Sequence, residues 1–120
     1  MTAPNVRPAV RREALARLRS EIGDEIFAEV VAVFLEETPL KVARIIEAAA
    51  AGELSSVASA AHGLKSTSGT LGADALVEVA ASIETHARSN RLAETQAQVA
   101  KLSVLYREVE RVLRAQISRP

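Results

Sequence analysis

Cysteine is absent from this chain. That one absence excludes disulfides, thiolate metal sites and a cysteine nucleophile, and it fits a reducing compartment. Aromatic residues are almost missing too, with two phenylalanines, one tyrosine and no tryptophan. Any core must therefore be built from Leu, Val, Ile and Ala. No apolar run approaches the roughly 20 residues needed to cross a bilayer. The opening residues MTAPNVRP lack the apolar centre of a signal peptide. The expected location is the cytoplasm, with no membrane partner. Net charge is missing as well: 15 basic residues balance 15 acidic ones, which argues against binding nucleic acid by bulk electrostatics. Both ends lean basic, through Arg7, Arg11, Arg12, Arg17 and Arg19, then Lys101, Arg107, Arg111, Arg114 and Arg119. Interleaved glutamates and the lack of aromatics make these read as solvated helix faces.

A hydrophobic fraction of 48% and a charged fraction of 25% are those of an ordinary globular protein, and 120 residues suit one core. Gly and Pro are few, and almost nothing alternates with period two. Apolar residues recur instead at three and four, as amphipathic helices require. Val10, Ala14 and Leu18 predict a short first helix that stops near Gly23; Ile26, Phe27, Val30, Val31 and Phe34 predict a second. Thr38-Pro39 reads as an N-cap followed by proline at the first helical position, opening a third helix through Val42, Ile45, Ile46 and Ala49 to Gly52. A fourth begins near Glu53. A fifth runs from about Ala73 to Ser89 with Leu76, Ala80, Ile83 and Ala87 inside, closed by a left-handed Asn90. The last and longest carries Leu92, Val99, Leu102, Tyr106, Val109 and Leu113. The expected fold is all-α, an antiparallel four-helix bundle with one or two additional short N-terminal helices. A flexible tail over 1–8 precedes a single domain over 9–118. The initiating Met1 favours a free-standing protein over a module of a larger sensor kinase.

The stretch AAHGLKSTSGTLG, Ala60 to Gly72, falls in the fourth helix. At about 100° per residue, Ser55, Ala58, Ser59, Lys65, Ser66 and Gly69 all lie within about 60° of His62. Val57, Ala60, Ala61, Leu64 and Leu71 form the opposite, core-facing stripe. His62 thus points outward among tiny neighbours, Lys65 excepted. A glycine inside a helix costs about 1 kcal/mol relative to alanine. Gly69 therefore asks for a reason: close approach by another molecule's backbone, or fraying near Gly72. A plain solvent-facing histidine remains the bland alternative for His62.

Ala61, His62, Leu64, Lys65, Ser68 and Gly72 match the signature of the histidine-containing phosphotransfer (HPt) domains, His-x-Leu-Lys-Gly-Ser/Ala-Ser/Ala-x-x-x-Gly, which this sequence resembles. Thr67 is a mild variant, and Gly69 is common at its position. Ser66 departs from the pattern, standing where the family usually has glycine. GDEIFAEVVAVFLEETP and LVEVAASIETHAR sit at family-like distances, so the likeness spans residues 10 to 117. It implies a phosphorelay intermediate, a phosphocarrier without kinase activity of its own. His62 would be the phosphorylated residue, attacking through Nε2, and the partners would be receiver domains of response regulators or hybrid histidine kinases. Mg²⁺ would belong to the partner, leaving this chain without a cofactor or metal and expected to be a monomer.

The chemistry suits these residues. Unperturbed imidazole, with a pKa of about 6.5, is largely neutral and nucleophilic at pH 7. Lys65, one turn along, can offset phosphate charge with a compact ammonium. Ser66, Gly69, Ser59 and Ala58 are expected to contact phosphate or partner; the Ser66 hydroxyl is placed to donate a hydrogen bond to a phosphoryl oxygen, the alternative being that its hydroxymethyl group crowds the partner. Glu84 and Arg88, four apart, share a helix face. By the resemblance Glu84 holds the other ring nitrogen of His62 and Arg88 adds positive charge; an ordinary surface ion pair is the alternative. Gly63-Leu64-Lys65-Ser66-Thr67 is no P-loop, since no glycine directly precedes the lysine. A metal pairing of His62 with His86 finds no His-x-x-x-His or Glu-x-x-His spacing to support it. The rival function is a helical interaction module that binds a partner through the same face and transfers no phosphate.

Overall fold

The computed structural model describes residues 7–117. Six helices follow in order: α1 (Arg12–Ile22), α2 (Asp24–Ala50), α3 (Leu54–Thr70), α4 (Asp74–Arg88), α5 (Leu92–Val99) and α6 (Leu102–Ile117). α2, α3 and α4 pack side by side, and α5 with α6 closes the ring by lying against both α2 and α4. α1 packs on α2 outside that ring. The fold is an all-α bundle with one extra N-terminal helix.

Three tight reversals set this arrangement, and the sequence marks each with a residue that tolerates positive φ. Gly52 (φ 74°), Gly72 (φ 76°) and Asn90 (φ 58°) occupy the position after the helix end. The next amide then donates to the carbonyl five residues back: Glu53 to Ala48 at 2.9 Å, Ala73 to Ser68 at 3.0 Å and Arg91 to His86 at 3.0 Å. This is the Schellman closure, which satisfies carbonyls that a bare helix end would leave open. Aliphatic and alanine side chains fill the interior, with Ile45, Leu64, Leu76, Ile83, Leu102 and Leu113 fully buried.

Four expectations change. Thr38-Pro39 does not begin a helix; α2 runs unbroken for 27 residues with Pro39 inside it. Proline has no N–H to give the carbonyl four residues back, so Leu35 O loses its helical donor. The hydroxyl of buried Tyr106 donates to that oxygen from α6 at 3.5 Å, a compensation from 71 residues away that no local pattern reveals. The last helix is two, separated at Ala100 and Lys101. Thr95, Val99, Leu102, Tyr106, Val109 and Leu113 are all buried, so the apolar phase runs through the break and conceals it. Ile26, Ile46 and Leu92, expected inside, are exposed; Phe27, Val31 and Ile45 supply the buried face instead. Ala60 is half-buried rather than core. The tail expected over 1–8 lies outside the described residues except for Arg7 and Pro8, and Arg7 pairs with Glu78 of α4 at 3.1 Å.

Candidate functional site

α3 packs more extensively on α4 than on any other helix. Small residues line that seam: Ala58, Ala61 and Ser68 from α3, Ala80 and Ala87 from α4, all buried. The close approach brings Glu84 of α4 beneath the outer face of α3. Its side chain is only 11% exposed, whereas that of His62 is 61% exposed.

One carboxylate gathers three basic side chains. Glu84 Oε2 lies 3.0 Å from His62 Nδ1, and Oε1 lies 2.9 Å from Lys65 Nζ. Arg88 donates to Oε2 through Nε at 3.1 Å and Nη2 at 2.9 Å. The Lys65 ammonium, outweighing the opposing cost of burial and helped by Arg88 and His62, holds the Glu84 carboxyl down from its ordinary 4.5 to about 2. Ionised Glu84 can only accept hydrogen bonds, so Nδ1 of His62 carries the proton and Nε2 the lone pair. Nε2 is left unengaged by Glu84, on a side chain that is 61% exposed.

The depressed carboxyl also fixes a pH dependence. A group whose folded pKa lies below its unfolded value contributes stability above the unfolded pKa, and that contribution fades as pH falls through the folded one. Wild type should therefore lose stability relative to Glu84→Gln as pH drops from about 5 to about 2. Paired urea unfolding series across that range measure it. Parallel curves would remove Glu84 as the source.

The sequence-predicted residues fall into two groups. His62, Lys65, Glu84 and Arg88 meet at one carboxylate. Ser59, Ser66 and Gly69 are exposed on the His62 side of α3 without joining that cluster. Ala58 is only 4% exposed, yet it lines the groove beside the cluster together with Ser59 and Arg88. The expected core side of α3 extends further too, since Ser68 is fully buried. A Cβ on Gly69 would meet only Val77 Cγ2 at 3.9 Å, ordinary contact, so packing within the chain does not require glycine there.

Periodicity missed the Lys65–Glu84 pair, because it depends on the register between two helices. It also missed the groove beside the cluster, about 340 Å³, whose lining includes Ser55, Ala58, Ser59, Arg88 and Asn90. A more apolar groove lies elsewhere, between Val30, Val33 and Phe34 of α2 and Thr67, Thr70 and Leu71 near the end of α3, and no member of the cluster lines it. Among the described residues, no group of three or more His, Asp or Glu side chains is placed to hold a metal.

The fold and cluster define a class: a helical bundle that presents one exposed histidine, buttressed at one nitrogen by a buried carboxylate and flanked by cations. The Hpt domain family model matches residues 29–118, from early α2 through the whole cluster. This chain belongs to the Hpt domain family, whose members act as phosphocarriers in two-component signalling. No match is found among curated proteins or among solved structures.

Proposed function

We propose that this protein is a phosphorelay intermediate. Nε2 of His62 accepts a phosphoryl group from an aspartyl phosphate on one receiver domain and passes it to an aspartate on another. The observation that carries this reading is the asymmetry of the His62 ring, with Nδ1 bound to buried Glu84 at 3.0 Å on a side chain that is 61% exposed. Phosphoryl transfer asks for positioning and charge stabilisation more than for elaborate covalent chemistry. The cluster supplies both, through a fixed ring and two neighbouring cations. The partners are receiver domains of response regulators or hybrid histidine kinases, which bring the Mg²⁺ and the acidic pocket. The carrier works as a cytoplasmic monomer and binds neither nucleic acid nor cofactor. Among the described residues no helix is long and apolar enough to cross a membrane.

The test is a transfer screen of the purified protein against the host's phosphorylated receiver domains. Rapid labelling by at least one receiver is expected, together with none from ATP and Mg²⁺ alone. Stable binding to a receiver without any label would favour the interaction-module reading instead.

Lys65 has a defined share in this reaction. Its ammonium sits on the exposed edge of the cluster, 2.9 Å from Glu84 and one turn from His62, within reach of a phosphoryl group on Nε2. Lys65→Ala should slow transfer about tenfold, which is ~1.4 kcal/mol of transition-state stabilisation. The folded state should lose about 1 kcal/mol or less, because Glu84 keeps Arg88 and His62. Single-turnover kinetics at saturating receiver, with a melting curve alongside, separate the two effects. An unchanged rate would remove Lys65 from the mechanism.

A further inference from the structure

We propose that Ser59, one turn before His62, holds the phosphoryl group on Nε2 by donating its hydroxyl to a phosphoryl oxygen. The inference rests on the phosphorelay reading and gives to Ser59 the hydrogen bond expected of Ser66.

The two oxygens of the Glu84 carboxylate give the ring a direction. Oε1 is taken at 2.9 Å by Lys65, three residues C-terminal of His62 on α3. Oε2 is shared between His62 Nδ1 at 3.0 Å and Arg88 Nη2 at 2.9 Å. The ring therefore sits on the Arg88 side of the carboxylate. α3 and α4 run antiparallel: Gly69 lies against Val77, His62 and Lys65 meet Glu84, and Arg88 shares its groove with Ser55, Ala58 and Ser59. The Arg88 side is thus the N-terminal side of α3. Helix stereochemistry agrees, since long side chains lean back over the residues three and four before them. For His62 those are Ser59 and Ala58. Ser66 stands on the opposite side, one turn C-terminal.

Room and a donor are both present there. The groove holds about 340 Å³, ample for a phosphoryl group. Ala58 offers it only a methyl group, whereas Ser59 is exposed. Arg88 gives Nε and Nη2 to Glu84, which leaves Nη1 unengaged by that carboxylate. Other hydroxyls of α3 are engaged, hidden or distant. Thr67 Oγ1 donates to Gly63 O at 3.3 Å and Leu64 O at 3.2 Å, and Thr70 Oγ1 donates to Ser66 O at 3.3 Å. Ser68 is fully buried, and Ser55 lies two turns from His62. The Ser59 hydroxyl has no hydrogen-bond partner among the described residues, so it is available to a phosphoryl oxygen.

The contact moves no proton. Oγ keeps its hydrogen, the phosphoryl oxygen accepts, and the bond breaks when the group leaves for an acceptor aspartate. Because it exists only in the phosphorylated state, it shifts the exchange equilibrium toward His62. The shift is about tenfold, the low end for a hydrogen bond to a charged group because the site is open to water.

The experiment labels the full chain and its Ser59→Ala, Ser59→Thr and Ser66→Ala variants with phosphoramidate, which requires no receiver. Urea unfolding is then measured with and without the label, in mildly basic buffer where a phosphoramidate persists. A hydroxyl that only supports the helix affects both forms alike, whereas one bound to phosphate couples to the label. Labelling should raise the folded-to-unfolded ratio about tenfold more in wild type than in Ser59→Ala, and Ser59→Thr should keep that gain. Equal gains in wild type and Ser59→Ala would overturn the proposal, as would loss of the gain in Ser66→Ala alone. So would failure of phosphoramidate to label His62. Exchange with a phosphorylated receiver tests the underlying reading separately, and at equilibrium wild type should hold about tenfold more of the phosphate than Ser59→Ala. Coupling without exchange by any receiver would sink the relay and leave the Ser59 contact standing; exchange without coupling would do the reverse.

Discussion

His62→Gln is expected to accept no phosphoryl group from any receiver that labels the wild type. Glutamine offers no nucleophilic nitrogen, because its amide lone pair is delocalised, and no second histidine can substitute. His86, the only other one in the sequence, is half-buried on α4, with Nδ1 buried and lacking a hydrogen-bond partner. His86→Gln should therefore label as wild type does. The loss in His62→Gln should not reflect unfolding, since the side chain is 61% exposed and Glu84 retains Lys65 and Arg88. Surface substitutions of this kind usually change stability by no more than about 0.5 kcal/mol. The chemistry of the wild-type label provides an independent check. A phosphoramidate is lost in acid and persists in base, whereas an aspartyl phosphate is hydrolysed in base. Label that resists acid, or label that survives in His62→Gln, would refute the assignment.

The helices on either side of the site were legible because periodicity and turn residues agree there. Gly52, Gly72 and Asn90 each mark a closure that their freedom at positive φ makes possible. Legibility fails where a distant group decides. Thr38-Pro39 has the local form of a helix start, yet α2 continues through it, and Tyr106 on another helix meets the Leu35 carbonyl that Pro39 leaves without a helical donor. The division between α5 and α6 escapes notice for the opposite reason, since nothing in the buried stripe changes there. At the site, the outward face of His62 follows from helical angles alone, as does the common face of Glu84 and Arg88. The convergence of both on one carboxylate depends on the register of α3 against α4, which small residues permit and no single-helix pattern specifies. Angular reasoning alone does not give exposure: Ala58, 40° from His62 on the wheel, is only 4% exposed.

Gly72, the last glycine of the motif, is structural rather than part of the phosphate site, and Gly72→Ala should be among the most destabilising single substitutions in the chain. Two costs act together. The residue sits at φ 76°, where an L side chain costs about 1–2 kcal/mol. The new Cβ would also stand 2.5 Å from Ala14 Cβ and 3.6 Å from the Arg11 backbone. Neither neighbour is a flexible side-chain tip. Arg11 N donates to Gly72 O at 3.1 Å, and the Arg11 guanidinium is tied to Asp74 at 2.6 Å, so α1 cannot withdraw without breaking contacts to the start of α4. Forcing a methyl into such packing costs about 1–3 kcal/mol. The sum, about 2–5 kcal/mol, is a large fraction of the ~5–15 kcal/mol that holds a domain of this size together. Urea unfolding should show that loss, and a double-mutant cycle should assign it. Ala14→Gly alone should cost about 1 kcal/mol as a helix-interior glycine. Combined with Gly72→Ala it should recover the steric part, giving a coupling energy of about 1–3 kcal/mol. A loss under about 1 kcal/mol, or strict additivity, would mean that α1 yields easily and that this glycine answers to φ alone.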